Sequence, residues 1–139
     1  MYPILIVEDS PDDAKLIQMA LKRTGLLNEI VWLMDGETVV NWLRNNTPLL
    51  VLLDLKLSGG MDGLDVLRAI RDDRRFSHLG VIIFTSSADQ ADAIEAYRLG
   101  TNVYVRKEPD FRNLMDAIAS LRFNWAILPT AHPERGENP

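Results

Sequence analysis

Acidic, hydroxyl and basic side chains follow four apolar runs of the sequence, at the point where each run ends. They are Glu8 and Asp9 after 4–7, Asp54 after 49–53, Thr85 after 81–84, and Arg106 and Lys107 after 103–105. Carboxylate oxygens are hard ligands that suit Mg²⁺, which often shares its coordination sphere with phosphate oxygens. A hydroxyl group and an ammonium group can contact the same phosphate oxygens. These residue types together indicate a site that holds a divalent cation and a phosphoryl group.

Three carboxylates at one site would repel one another in the absence of a cation. Two like charges about 4 Å apart repel by about 4 kcal/mol at an effective dielectric constant of roughly 20. A plainer interpretation is that acids stand at the ends of strands because strand ends meet solvent. The arrival of all three acids with a threonine and a lysine on neighbouring runs favours a functional site over that explanation.

The four apolar runs are short, unbroken and rich in Ile, Val and Leu, which predicts strands buried on both faces of a parallel sheet. A further strand is predicted over 29–34. In an open parallel sheet covered by helices, ligands bind beyond the carboxyl ends of the strands. The residues that follow the strands are therefore expected to converge on one site.

The first predicted helix begins directly after the first strand, at Ser10 and Pro11. Serine at the N-cap, proline at the first helical position and an acid at the third are typical of a helix start. Its apolar face is expected to comprise Ala14, Leu16, Ile17, Ala20 and Leu21, and Gly25 ends it. Asp12 and Asp13 could be additional metal ligands, but complementing the helix dipole is the favoured interpretation.

Further helices are predicted over 37–45, 63–72 and 89–99, and a fifth begins near Asp110. Strands and helices then alternate throughout the chain. Each crossover helix must return right-handedly to a parallel strand, so this alternation predicts a doubly wound α/β sandwich with three layers.

Composition and charge exclude several other classes of function. The chain has 139 residues, a net charge of −5 and no cysteine. The negative charge disfavours nonspecific nucleic-acid binding, and the lack of cysteine excludes disulfides and thiolate metal sites. No apolar run approaches the ~18 residues that span a membrane, and no signal peptide is apparent before the first strand. We expect a single domain that works in the cytoplasm.

The order and spacing of five motifs resemble the receiver domains of two-component response regulators, over about residues 3–122. The motifs are ILIVEDS at 4–10, VLLDLKL at 51–57, MDG at 61–63, FTSS at 84–87 and YVRK at 104–107. The resemblance implies a flavodoxin-like fold with five strands in the order 2-1-3-4-5 and five helices. It also implies a sensor histidine kinase as phosphoryl donor and Mg²⁺ as cofactor.

The resemblance implies a role for each residue of the site. Asp54 resembles the phosphoacceptor, and the implied metal ligands are Asp9 directly, Glu8 through water, Asp54 and the backbone carbonyl of Lys56. Thr85 and Lys107 resemble the residues that contact the phosphoryl oxygens. Tyr104 resembles the aromatic switch that turns inward once Thr85 moves toward the phosphoryl group. Such a protein is not an enzyme but a phosphoacceptor that assists its own phosphorylation and dephosphorylation.

Two other functions can be compared with this interpretation. Phosphatases of the haloacid dehalogenase type also attack phosphate with an aspartate at a strand end, but they need a second aspartate two residues later. That position is Lys56, so turnover of alcohol phosphates is not expected. The second alternative is a degenerate receiver that acts as a constitutive dimerisation or interaction module without phosphorylation. Loop 58–62 keeps this alternative open, because it lacks the usual proline and has one additional residue.

The peptide bond after Lys107 departs from the receiver pattern as well. Receivers usually place a cis proline there, whereas this chain has Glu108, with proline only at Pro109. A cis bond before a residue other than proline costs about 2.5–4 kcal/mol, so a trans bond is expected.

The last predicted helix extends beyond what is needed to cover the sheet. Its apolar stripe comprises Leu114, Ile118, Leu121, Trp125 and Leu128. We expect a homodimer through this helix, with Trp125 and Leu128 in the interface; folding back over the sheet edge is the alternative. Receivers paired with phytochrome-type histidine kinases have a similar extension. Residues 1–128 are thus expected to form the receiver domain and 129–139 a disordered tail.

Overall fold

Strands and helices alternate along the chain in the structure, a computed structural model that describes residues 1–101, 103–107 and 116. The strands are β1 (Ile4–Val7), β2 (Ile30–Leu33), β3 (Leu50–Leu53), β4 (Gly80–Thr85) and β5 (Val103–Arg106). The helices are α1 (Pro11–Lys22), α2 (Gly36–Leu43), α3 (Gly63–Asp72) and α4 (Gln90–Arg98). A short 3₁₀ helix over Arg74–Phe76, which the sequence pattern did not predict, links α3 to β4.

All five strands lie in one parallel sheet with the order β2-β1-β3-β4-β5, so the predicted flavodoxin-like topology is confirmed. Val7 at the end of β1 is in register with Leu53 at the end of β3. The β1–β3 ladder continues one residue further, because the backbone nitrogen of Asp54 donates to the carbonyl of Val7 at 3.0 Å. The carboxyl ends of the two central strands therefore lie side by side.

Two layers of helices cover the sheet, as predicted. On one face, Ile17, Ala20 and Leu21 of α1 pack against alternate residues of the strands. On the other face, apolar side chains of α2, α3 and α4 form a second buried cluster with the remaining strand residues. Leu16 is an exception to the predicted apolar face of α1, since it is 40% exposed. Its neighbour Ile17, which belongs to the same predicted face, is fully buried as expected.

Capping side chains explain why the helices begin where they do. The hydroxyl oxygen of Ser10 accepts from the backbone nitrogen of Asp13 at 3.3 Å, as expected for an N-cap. Asp62 and Asp65 form a reciprocal capping box at the start of α3. Both caps stand after loops that leave the carboxyl end of the sheet, so they also fix where α1 and α3 begin beside the site.

Several expectations concern residues outside the described part of the chain. They are the fifth helix, the Lys107–Glu108 peptide bond, the dimer residues Trp125 and Leu128, and the tail 129–139. Predicted boundaries differ slightly elsewhere: α2 begins at Gly36 and ends at Leu43 instead of spanning 37–45. Among the described residues, no helix has the length and apolar character needed to cross a membrane.

Candidate functional site

The ends of β1 and β3 bring three carboxylates together. One oxygen atom from each of Glu8, Asp9 and Asp54 lies within 4.8 Å of the others. Glu8 and Asp54 are buried, with 0% and 2% of their surface exposed, whereas Asp9 is half-buried. This convergence is the one expected from the strand ends, and it produces a buried concentration of negative charge.

Backbone N–H groups orient two of these carboxylates. Glu8 Oε2 accepts from the backbone nitrogen of Ser10 at 3.0 Å, and Asp54 Oδ1 accepts from that of Lys56 at 3.0 Å. Both bonds come from residues two positions later, where the chain turns away from the strand. The side chains are thus held against the strand ends by the loops that follow them.

Ser58 orients the third carboxylate from the other side of the site. Asp9 Oδ2 accepts from the backbone nitrogen of Ser58 at 3.0 Å and from its hydroxyl at 2.9 Å. Ser58 occupies the position where the sequence lacks the proline usual in receivers. Loop 58–62, which lacks that proline, is therefore attached to a candidate metal ligand at its first residue, and sequence reasoning missed this function of Ser58.

Gly63 sets how closely α3 approaches the site. A Cβ atom at this position would overlap the carbonyl oxygen of Asp54 and the Cα of Leu55. The backbone nitrogen of Gly63 also donates to the carbonyl of Leu55 at 3.0 Å. The start of α3 can therefore lie directly against the backbone that carries Asp54 because residue 63 has no side chain.

Lys107 is the cation at the centre of the cluster. Its Nζ lies 2.7 Å from Glu8 Oε1, 2.8 Å from Asp13 Oδ2 and 3.0 Å from Asp54 Oδ2. Its backbone nitrogen donates to the carbonyl of Thr85 at 2.8 Å, which anchors the residue just beyond β5. Burial disfavours the charged form of Lys107, but the bonds to Asp13 and Glu8 and the charge of Asp54 outweigh it and raise its pKa.

Burial is the main reason that the pKa of Glu8 is raised, and the charge of Asp54 adds to it. Burial raises this pKa to about 7, the bond from Lys107 lowers it, and repulsion by Asp54 raises it again. A carboxyl with this pKa is protonated in a large fraction of molecules at neutral pH. The site is therefore one whose charge a divalent cation would balance.

The donor set fits a hard divalent cation. Three carboxylate oxygens lie close enough to share one ion, and oxygen ligands of this kind suit Mg²⁺ or Mn²⁺. The side chain of Lys56 extends away from the cluster, since its Nζ lies 3.4 Å from Asp92 Oδ2. The use of the Lys56 carbonyl as a further ligand stays a prediction.

Thr85 ends β4, the strand between β3 and β5. The residue is fully buried, and its hydroxyl oxygen accepts from the backbone nitrogen of Ser87 at 3.2 Å. In the β3–β4 register Leu53 lies opposite Ile83, which places Thr85 one residue beyond the level of Asp54. Its contact with a phosphoryl oxygen stays a prediction, because it depends on a group that the structure does not hold.

Tyr104 lies on β5 with its ring half-buried, at a centroid distance of 6.0 Å from the ring of Tyr97. Its hydroxyl is buried without a well-aligned hydrogen bond among the described residues, and Ser87 is the polar side chain beside it. Burial, with the charge of Asp92, raises the pKa of the Tyr104 hydroxyl. The switching role of Tyr104 also stays a prediction.

Asp92 links the surroundings of Tyr104 to the loop after β3. Its Oδ2 accepts from the Ser87 hydroxyl at 2.8 Å and lies 3.4 Å from Lys56 Nζ. Sequence reasoning did not single out Asp92, because a carboxylate in the first turn of a helix looks like an ordinary partner of the helix dipole. The same ambiguity hid the contact between Asp13 and Lys107.

The chain is similar to known proteins both in sequence and in structure. The family model for the response regulator receiver domain matches residues 4–119. Response regulator Rcp1 of Synechocystis sp. is 31% identical over 138 residues, covering 92% of this chain and 93% of Rcp1.

Two solved structures are similar along nearly the whole chain. The crystal structure of the Mn²⁺-bound form of Rcp1 has a TM-score of 0.78 at 30% identity and covers 90% of this chain and 94% of that one. The phosphorylated cyanobacterial phytochrome response regulator RcpA also has a TM-score of 0.78 at 30% identity, with the same coverage.

Proposed function

The chain belongs to the response regulator receiver domain family, and from this premise we propose that it accepts a phosphoryl group on Asp54. The donor is a phosphohistidine of a sensor histidine kinase, and Mg²⁺ is the cofactor. The phosphorylated protein then changes a protein–protein interface instead of turning over a metabolite. It works in the cytoplasm, and its similarity to Rcp1 extends along nearly the whole length of both proteins.

One observation carries this proposal. Asp54 is buried at the end of a central strand, 3.0 Å from Lys107 Nζ and within reach of the same cation as Glu8 and Asp9. A nucleophilic carboxylate needs this surrounding positive charge, because the incoming phosphoryl group is itself negative.

The positions of the residues support the following chemical step. An oxygen of Asp54 forms a bond to phosphorus as the bond between phosphorus and the histidine nitrogen breaks, and that nitrogen keeps the electron pair and takes up a proton. Lys107 and Thr85 then contact oxygens of the transferred group. Glu8, Asp9 and Asp54 would hold the Mg²⁺, which would supply positive charge to offset that of the phosphoryl oxygens.

The output depends on the network around Tyr104. Movement of Thr85 toward the phosphoryl group opens space on β4, and Tyr104 then turns inward from its position beside Tyr97. Ser87 lies next to both side chains, since its backbone nitrogen donates to the Thr85 hydroxyl oxygen at 3.2 Å and its own side chain lies beside the Tyr104 hydroxyl. A change at the phosphorylation site can thus reach the outer surface of α4 and β5.

The similar structures support the metal and the modification. The Rcp1 structure is of a Mn²⁺-bound form, and the RcpA structure is of a phosphorylated form. RcpA is described as a phytochrome response regulator, so we propose a histidine kinase of the phytochrome type as the donor for this chain. The same carboxylates that suit Mn²⁺ suit Mg²⁺.

The test is Mg²⁺-dependent binding of beryllofluoride, which mimics a phosphoryl group on aspartate. We expect saturable binding that Asp54→Asn abolishes, observed by amide NMR. Acid-labile phosphorylation by a cognate kinase should be lost in the same variant. Binding that persists in Asp54→Asn would refute the assignment of Asp54, and no binding by the wild-type protein would favour a constitutive interaction module.

A homodimer through the last helix is a separate part of the proposal. Trp125 and Leu128 belong to an apolar stripe of the sequence that continues past the length needed to cover the sheet. Trp125→Ala should shift the sedimentation coefficient toward that of a monomer. An unchanged coefficient with a lower midpoint of urea unfolding would instead identify Trp125 as a core residue.

A further inference from the structure

We propose that Asp13 is a positioning residue that competes with the phosphoryl group for Lys107. The inference rests on the proposed function, since it concerns the lysine expected to contact the phosphoryl oxygens. Asp13 lies in the first turn of α1, outside the three carboxylates that could share a cation.

The first argument is that Lys107 already interacts with three carboxylates. Its Nζ donates hydrogen bonds to Asp13 at 2.8 Å and to Asp54 at 3.0 Å, and it lies 2.7 Å from Glu8 Oε1 as an ion pair without hydrogen-bond geometry. A phosphoryl oxygen must therefore compete with these carboxylates for the ammonium group. The strength of the lysine's interaction with each carboxylate determines how available it is to the phosphoryl group.

The second argument is that the three carboxylates are not equivalent. Glu8 and Asp54 belong to the candidate cation site, so a bound cation would compete with Lys107 for their oxygens. Asp13 does not belong to that site, and its bond to Lys107 can remain when the cation is bound. Asp13 is also 38% exposed at its side chain, so its carboxylate remains in contact with solvent while it binds Lys107.

The third argument is that the backbone of Asp13 is fixed. Its nitrogen donates to the N-cap oxygen of Ser10 at 3.3 Å, and Ser10 itself donates to Glu8 Oε2 at 3.0 Å. The first turn of α1 is thus attached to the strand end that carries the cation site. Asp13 consequently presents its carboxylate to Lys107 from a defined position.

These arguments predict effects of opposite sign when Asp13 loses its charge. Without Asp13, Lys107 interacts more strongly with Glu8 and Asp54 and so competes harder against a cation at those oxygens. The phosphoryl group, in contrast, gains a lysine with one fewer competing anion nearby. Cation binding should weaken while phosphoryl binding at saturating cation should strengthen.

The experiment compares Asp13→Asn with Asp12→Asn and the wild-type protein. Asp12 is the matched control, because it is an exposed carboxylate in the same helical turn and no contact with Lys107 is found for it in the described part of the chain. Calorimetry gives the Mg²⁺ affinity, and titration with beryllofluoride at saturating Mg²⁺ gives the affinity for the phosphoryl mimic. For Asp13→Asn we expect about three- to fivefold weaker Mg²⁺ binding and about three- to fivefold tighter beryllofluoride binding, typical of a partly exposed ion pair.

The opposite changes in Mg²⁺ affinity and beryllofluoride affinity distinguish a positioning role of Asp13 from a purely structural one. Damage to α1 would weaken both affinities, and an Asp13→Asn protein with that behaviour would refute the proposal. Equal affinities in Asp13→Asn and Asp12→Asn would refute it as well, and leave the proposed function intact. A wild-type protein that binds Mg²⁺ but not beryllofluoride would refute the proposed function itself, together with the role of Asp13 that depends on it.

Discussion

Replacing Lys107 with methionine tests the electrostatics of the site directly. Methionine keeps most of the side-chain volume and removes the charge that contacts Glu8, Asp13 and Asp54. Glu8 is fully buried, so it cannot recover the lost interaction from water. The variant should destabilise the metal-free protein, and the size of the effect should depend on pH.

The magnitude follows from the pKa of Glu8. In the wild-type protein this pKa is raised from 4.5 to about 7, so the proton on Glu8 contributes fully to the free energy of unfolding below pH 4.5, and this contribution is lost as the pH rises through 7. Above pH 7 the free energy of unfolding of the wild-type protein falls no further on account of Glu8, because Glu8 is then ionised in the folded protein as well. Removing Lys107 raises the pKa of Glu8 further, so the loss continues at higher pH.

The expected difference in the free energy of unfolding between the wild-type protein and Lys107→Met is therefore smaller at pH 7 than at higher pH. At pH 7 Lys107→Met should cost about 2 kcal/mol, the value of a lost charge-assisted hydrogen bond, because Glu8 can take up a proton. Each pH unit above 7 should add about 1.4 kcal/mol, which gives about 4 kcal/mol at roughly pH 8.5.

Urea unfolding in the absence of metal measures this difference in the free energy of unfolding. Lys15→Met, a change at an exposed lysine of α1, is the control for loss of a positive charge. Saturating Mg²⁺ should reduce the pH dependence, since the cation neutralises the carboxylates. A cost of Lys107→Met that is equal at the two pH values would show that Glu8 is not the group responsible.

Two further predictions concern the supports of the site. Ser58→Ala removes the hydroxyl bond to Asp9 and keeps the backbone bond, so Mg²⁺ binding measured by calorimetry should weaken about three- to tenfold, with Ser86→Ala as the exposed control. Unchanged affinity would mean that the backbone bond alone positions Asp9. Gly63→Ala should lower both the urea midpoint and the Mg²⁺ affinity, because its Cβ would overlap the Asp54 carbonyl oxygen and Leu55. Wild-type values for this variant would show that α3 can move away without disturbing Asp54.

Much of the fold could be predicted because it depends on local patterns. The predicted limits of α3 coincide with the observed helix, since Asp62 and Asp65 form a capping box immediately before an apolar periodic run. Leu16 was assigned wrongly because its position borders the apolar face, and the width of that face depends on how α1 is rotated against the sheet. The 3₁₀ helix at 74–76 was missed because three polar and aromatic residues have no distinctive periodicity.

The sequence predicted those residues of the site that directly follow a strand, and no others. Residues that directly follow parallel strands must lie at the same edge of the sheet, so the meeting of Glu8, Asp9, Asp54 and Lys107 follows from their places in the sequence. The contact of Asp13 with Lys107 joins residues 94 positions apart, and its sequence context fits a helix-dipole acid equally well. The contact of Ser58 with Asp9 is of the same kind, at a separation of 49 positions.

The sequence alone determined which chemical groups stand at the carboxyl edge of the sheet, because the period of apolar residues and the capping signals act over a few positions. Only the tertiary structure decided how Lys107 divides its bonds among three carboxylates and how far the pKa of Glu8 rises. These quantities depend on distances of about 3 Å and on burial, which arise only when distant segments pack together. The residues available to the site are thus a local property, whereas its electrostatic balance is a property of the whole fold.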